Sequence, residues 1–135
     1  MAAKTAVVTD KAPPPLPFFS QAIKCNGMVY CSGSIGMDPI SMKLVEGSIE
    51  LRTEQALANL TAVLEAAGSS IDNVVKVNVF LTDMKDFAAM NGVYAKVFNK
   101  DPKPVRTCVA VHQLPLGTDV EIELTAHLGE EKAKL

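Results

Sequence analysis

The sequence predicts an α+β fold: a mixed β-sheet with two helices packed on one face. Three observations predict it. Two stretches carry apolar residues at helical spacing, and several short β-branched runs alternate at period two. Between two of those runs sits Asn26-Gly27, the strongest two-residue signal for a hairpin turn. The resulting elements make a mixed sheet with two helices covering one face, and neither repeat nor linker divides residues 1–135, so one domain is expected.

Residues 5–8, "TAVV", read as a first strand, followed by the proline-rich connector "KAPPPLPFF", which must be extended. "AIKCNGMVYCSGS" reads as a hairpin about Asn26-Gly27, and "KLVEG" (43–47) as a short strand after the Asp38-Pro39 loop. From 50 to 67 the period changes. Leu57, Leu60, Leu64 and Ala67 fall at i, i+3, i+7 and i+10, and Gly68 ends the helix. "NVVKVNVFL" (73–81) is apolar on both faces, as a central strand is. Asp83 with Asp86 resembles a capping box. Phe87, Met90, Tyr94 and Val97 then stripe a second helix that must stop before Pro102.

Two strands follow. In "VRTCVAV" (105–111) Val105, Thr107, Val109 and Val111 share one face, while Arg106, Cys108 and Ala110 take the other. In "VEIELTAHL" (120–128) the ladder Val120, Ile122, Leu124, Ala126 and Leu128 opposes Glu121, Glu123, Thr125 and His127. "HQLPLGT" between them holds Pro115 and Gly117, as a hairpin loop does. Two helices cover one sheet face, yet the strands are apolar on both. Oligomerisation is the expected cover.

Composition removes several function classes. Apolar residues make up 48% and charged residues 21%, which is globular composition. A net charge of −2 without a lysine or arginine cluster argues against bulk attraction to nucleic acid. No apolar run reaches the roughly 18 residues of a membrane helix. The N-terminal "MAAKTAVVTDK" lacks the features of a secretory or mitochondrial signal, so a cytoplasmic location is expected. The final Ala133-Lys134-Leu135 resembles the Ser-Lys-Leu peroxisomal address, with a plain polar tail as the alternative. Three cysteines, Cys25, Cys31 and Cys108, cannot all pair and point to a reducing compartment. Two histidines without metal-ligand spacing argue against a protein-built metal site. Asn59-Leu60-Thr61 spells a glycosylation sequon but lies within a predicted helix and is discounted.

Arg106 and Glu121 are the candidate chemistry. A planar guanidinium grips a carboxylate through two parallel charge-assisted hydrogen bonds, and a glutamate can hold or deprotonate a water. Both are placed opposite the valine and isoleucine ladders. If the chain turns near residues 115–116, Arg106 lies opposite Thr125, and Glu121 sits four residues along, roughly 13 Å away at about 3.3 Å per residue. A substrate and water then bridge the gap, or a neighbouring subunit completes the site. The competing readings are an interface salt bridge for Arg106 and a solvated strand residue for Glu121. Cys108 reads as a small buried hydrophobe, because a nucleophilic thiolate needs a base and no histidine is placed to serve. Ser32 reads as a hydrogen-bonding strand-end residue, and Phe18-Phe19 as core. Gly33-Ser34-Ile35-Gly36 matches an RNA-clamping G-x-x-G but follows a strand, the wrong context.

"PVRTCVAVHQLPLGTDVEIELTA" resembles the C-terminal signature of the RidA/YjgF reactive-intermediate deaminases. "PFFSQAI", "VYCSGSIGMDP" and "RTEQALANLTAVLEAAGSSIDNVVKVNVFLTDMKDFAAMN" are similar to further family segments in the same order, so the likeness spans nearly the whole chain. The resemblance implies a homotrimer of chorismate-mutase-like subunits with a ligand cleft at each interface. It implies a hydrolase of metabolite damage control that converts reactive enamines and imines, such as 2-aminoacrylate, to 2-keto acids and ammonia without cofactor or metal. Arg106 would bind the substrate carboxylate and Glu121 would position water. Phe19, Ser32, Gly33, Phe87, Asn91 and Cys108 would line the cleft. Phe19 stands where the family usually has tyrosine, and Ser34 where it has glutamine. A ribonuclease or translation inhibitor, and a non-catalytic module binding small carboxylates, are the alternatives.

Overall fold

The computed structural model describes residues 3–129, so the peroxisome-like tail lies outside the described residues. Six strands form one sheet: β1 (Thr5–Val7), β2 (Ala22–Cys25), β3 (Met28–Ser34), β4 (Val74–Leu81), β5 (Val105–Ala110) and β6 (Val120–His127). Two helices, α1 (Ile49–Ala66) and α2 (Phe87–Val97), accompany them. The strand order is β1-β2-β3-β6-β4-β5.

Local chemistry explains most elements. Asn26 and Gly27 both take positive φ, 52° and 75°, and join β2 to β3 as an antiparallel hairpin. Gly68, at φ 86°, ends α1, and the Ser69 N–H reaches back to the Leu64 carbonyl at 2.8 Å. The apolar stripe of α1 buries Leu57, Leu60 and Leu64 against the sheet, each worth about 2 kcal/mol of transfer free energy. They meet Val77, Val79 and Leu81 of β4 and Ile122 and Leu124 of β6, all 3% exposed or less. Asn59, in the discounted sequon, is buried and donates to the Met37 and Ile35 carbonyls, which fastens the loop after β3 to the helix.

Four expectations are corrected. β5 and β6 are not a hairpin. β5 pairs in parallel with β4, and β6 inserts between β3 and β4, antiparallel to both. β6 carries the stronger apolar ladder and takes the centre, while β5, with one half-buried face, takes the edge. Residues 43–47 are not a strand; a single bridge, Met37 to Leu44, is all that forms. The Asp83 carboxylate caps the short turn Met84–Asp86 by accepting from the Lys85 N–H, and no side chain caps α2. Phe18 and Phe19 are not core: they are 88% and 49% exposed.

The face without helices presents Tyr30, Val105 and Val109, all exposed. The surplus of apolar strand surface is therefore present in the folded subunit.

Candidate functional site

The corrected register moves Arg106. It pairs with Val77 and Cys108 with Val79, so both side chains lie on the helix side of the sheet. The valines of β5, Val105 and Val109, are the residues on the open face. The alternation along β5 holds as expected, but the two faces exchange roles.

There α2 builds a mount for the guanidinium. Arg106 Nη1 donates to Asn91 Oδ1 at 2.7 Å. The guanidinium carbon lies 4.7 Å from the Tyr94 ring centre and 5.5 Å from that of Phe87, within cation–π range. Phe87, Asn91 and Tyr94 stand at i, i+4 and i+7 of one helix and so share a face. That hydrogen bond uses one of five guanidinium donors. Among the described residues no carboxylate meets Arg106 within ion-pair distance. Cys108 is half-buried beside it. Burial pushes its thiol above the ordinary range, against a smaller opposite pull from Arg106, so the protonated thiol is favoured. Burial likewise raises the Tyr94 phenol, whose hydroxyl is enclosed without a hydrogen-bond partner among the described residues.

Glu121 belongs to a different place. It pairs with Phe80 on the open face and lines a cavity of about 610 Å³. Phe19, Ser32, Gly33, Pro115 and Leu116 share that lining, together with residues 12–16 of the proline-rich connector. Ser32 Oγ donates to the Ser20 carbonyl at 2.6 Å, the strand-end role expected of it. Gly33 is there by necessity. A Cβ on it would lie 2.7 Å from Glu121 Oε2, so the carboxylate rests where any side chain would be. Burial raises the Glu121 carboxyl above the ordinary carboxylate range, and the charge of Glu123 adds to the effect. Glu123 is itself held by Asn78, whose amide donates to Oε1 at 3.0 Å.

The start of β6 is fixed by an ion pair. Arg52 grips both oxygens of Asp119, at 2.7 and 2.8 Å, and donates to the Val45 and Gly47 carbonyls. The Arg52 hydrogen bonds hold the Asp119 carboxyl below its usual range. Glu121 is two residues further on.

Eight site residues were expected to line a cleft between subunits, and within the one chain they fall into two groups. Phe87, Asn91, Arg106 and Cys108 form one group beneath α2. Phe19, Ser32, Gly33 and Glu121 form another at the cavity. Along β4, Arg106 stands beside Val77 and Glu121 beside Phe80. Three residues and two strand spacings separate their Cα atoms by roughly 14 Å, with the side chains on opposite faces. The expected separation survives; the shared face does not. Tyr94 was read only as part of the helical stripe, and of the two rings it is the one closer to the guanidinium. The available signal was Asn91, a polar residue inside an otherwise apolar stripe. Leu116 and Pro115 were read only as loop. Among the described residues no group of three His, Cys, Asp or Glu side chains is placed to hold a metal ion.

Fold and site together define a class: a two-helix subunit on a six-stranded mixed sheet, with a mounted arginine and a half-buried glutamate on opposite faces. The family model described as Endoribonuclease L-PSP matches residues 9–128. Protein HMF1 of Saccharomyces cerevisiae is 50% identical over 122 residues, 90% of this chain and 93% of that protein. Reactive Intermediate Deaminase A, chloroplastic, of Arabidopsis thaliana is 43% identical over 93% of this chain and 66% of its own length. Among solved structures, yeast Mmf1 superposes with a TM-score of 0.89 at 49% identity, covering 93% of this chain and 98% of that one. E. coli TdcF with bound serine superposes with a TM-score of 0.85 at 32% identity, covering 91% and 98%. The chain belongs to the RidA/YjgF family, which includes reactive intermediate deaminases.

Proposed function

We propose that the protein hydrolyses reactive enamines and imines of the 2-aminoacrylate type to 2-keto acids and ammonia. We further propose that each site is assembled between two copies, in a trimer. The observation that carries this is the division of the site. Arg106 keeps most of its donors free on the helix face, while Glu121 points from the open face into a cavity that reaches round to α1. A small substrate touching both needs Arg106 from one subunit and Glu121 from the next. The exposed Val105, Val109 and Tyr30 give the open face an apolar surface for such packing. The serine bound to TdcF is of the right kind: an amino-acid-sized carboxylate.

In this reading the free edge of the Arg106 guanidinium takes the substrate carboxylate. The enamine enters as its tautomer, the protonated imine. Glu121 accepts a proton from water as the oxygen attacks the imine carbon, giving a neutral carbinolamine. The protonated carboxyl returns that proton to nitrogen; the C–N bond breaks and ammonia leaves as the hydroxyl gives its own proton to the Glu121 carboxylate and the carbonyl forms. A carboxyl raised by burial suits both halves of that exchange better than a solvated one. Phe19, where a tyrosine is usual, offers a ring without a hydroxyl, so water is held by other groups.

Ammonia release from freshly generated 2-aminoacrylate or 2-aminocrotonate is the test. The wild-type protein should accelerate it, and unchanged kinetics would sink the proposal. The ribonuclease reading finds support in the family model's description. Against it, the cavity lining contains no lysine or arginine among the described residues to neutralise a phosphate backbone. RNA incubated with the same preparations should stay intact.

A further inference from the structure

A half-buried arginine without a counter-ion has given up part of its hydration and needs another source of stability. The groups that meet the Arg106 guanidinium beneath α2 are all uncharged. Asn91 contributes an amide oxygen, and Phe87 and Tyr94 contribute rings. Burial keeps the neighbouring Cys108 thiol and the Tyr94 phenol in their protonated, neutral forms. The charge of Arg106 is therefore stabilised here without being cancelled.

The two rings are not equivalent. Phe87 opens the helix, is 37% exposed and lies 5.5 Å from the guanidinium carbon. Tyr94 lies at 4.7 Å and is backed by buried Phe98, with the two ring centres 4.5 Å apart. The Phe98 N–H also donates to the Tyr94 carbonyl at 3.0 Å, so main chain and side chain both brace the closer ring. A π face attracts a cation without consuming any of its N–H donors. The Tyr94 hydroxyl takes no part, being enclosed without a hydrogen-bond partner among the described residues. A carboxylate in the ring's place would occupy two donors, and an incoming acid would have to displace it.

We propose that Tyr94 is the positioning residue for carboxylate recognition: its ring face, braced by Phe98, holds the Arg106 fork in place without an anion. The full positive charge and most of the donors are then left for an acid ligand. This rests on the reading that Arg106 takes the substrate carboxylate, and it names what keeps that grip available. The ring should matter and the hydroxyl should not. A negative charge placed in the mount should do more harm than a lost contact, because it would compete with the ligand for the same donors.

Isothermal titration of the full-length protein, in its solution oligomeric state, with 2-oxobutanoate tests this apart from turnover. Tyr94→Leu should weaken binding roughly fivefold or more. In the ammonia-release assay it should raise KM by a similar factor, with kcat within about twofold of wild type. Tyr94→Phe should restore both, and its thermal unfolding should come about 2–4 °C later because an unpartnered buried hydroxyl is gone. Asn91→Asp, nearly isosteric, sets a carboxylate against Arg106 and should weaken binding about tenfold or more without lowering Tm. Equal affinity in wild type and Tyr94→Leu would overturn the proposal. So would a Tyr94→Phe variant no better than Tyr94→Leu, since the role would then belong to the hydroxyl. An Asn91→Asp variant that binds as tightly as wild type would overturn the requirement for an anion-free mount. Wild-type protein that binds 2-oxobutanoate but releases no ammonia would remove the deaminase reading and support this inference if Tyr94→Leu still weakens binding. No binding by wild type would remove the carboxylate grip and this inference with it.

Discussion

The ground beneath α2 and the cavity beside β3 hold opposite charges in opposite ways. Arg106 is gripped: an amide bonds it and two rings flank it, all from a single helix face. Glu121 is confined instead, by a glycine that leaves it room and by apolar walls that raise its carboxyl. A permanent cation tolerates a rigid mount because its charge never changes. An acid meant to gain and lose a proton is better served by a poorly solvated position, where the two protonation states lie closer in free energy. On the proposed mechanism one region holds and the other exchanges.

The largest effect should come from unmaking the grip. Arg106→Ala removes the group proposed to grip the substrate carboxylate and should lower kcat/KM by about 10²–10³-fold. Arg106→Lys should recover little, since a point charge does not replace the fork. The division itself can be tested next. Mixing Arg106→Ala chains with Glu121→Gln chains under conditions that exchange subunits should restore about a quarter of wild-type activity, if random trimers place an intact arginine opposite an intact glutamate. No recovery would mean that each site lies within one chain. Gly33→Ala is gentler. The clash is with the end of a flexible side chain, so the fold should survive while Glu121 shifts, lowering kcat by roughly tenfold with little change in KM.

Two smaller effects probe what surrounds the glutamate. Asp119→Asn should cost about 1–2 kcal/mol in chemical denaturation, by leaving Arg52 half-partnered. Because the Asp119 carboxyl is lowered in the folded state, its contribution is present above the ordinary carboxylate range and is lost as pH falls through the folded value. The variant should therefore show less acid sensitivity than the wild type. Glu123→Gln removes the neighbouring negative charge that helps raise Glu121, so the acid limb of the rate profile should move to lower pH. A limb that stays put would assign the raised carboxyl to burial alone.

Much of this was legible along the chain. Asn26-Gly27 named its hairpin, and Leu57, Leu60 and Leu64 named their helix, because both signals are local. The eight site residues were also named, and with them the gap between Arg106 and Glu121, but not that the two lie on opposite faces of the sheet. Alternation along β5 separates Arg106 from Val105 and Val109, yet it cannot say which side the helices take. Val105 and Val109 alternate as core residues do, yet the folded chain leaves them exposed on the face without helices. The hairpin expected between β5 and β6 failed for a related reason. Their directions are opposed, as in a hairpin, but adjacency is decided by competition between ladders, and Val120, Ile122 and Leu124 outcompete an edge strand that carries an arginine. Phe18 and Phe19 went the same way: aromatic residues argue for burial until a neighbouring turn, here Leu16 to Phe19, points them outward.

The place of β6 has a consequence for how the molecule comes into being. Residues 120–127 are the last strand in chain order, yet they form the middle of the sheet, bonded to β3 on one side and β4 on the other. Until they arrive, the hairpin of β2 and β3 and the β4-α2-β5 unit are two fragments with no strand in common. A chain cut before Val120 would lose every strand ladder that joins them and keep only the packing of α1 against β3 and α2. Assembly therefore waits on its most distant contacts, the kind that close slowly. Before they close, the exposed strand edges of both fragments are open to the wrong partner.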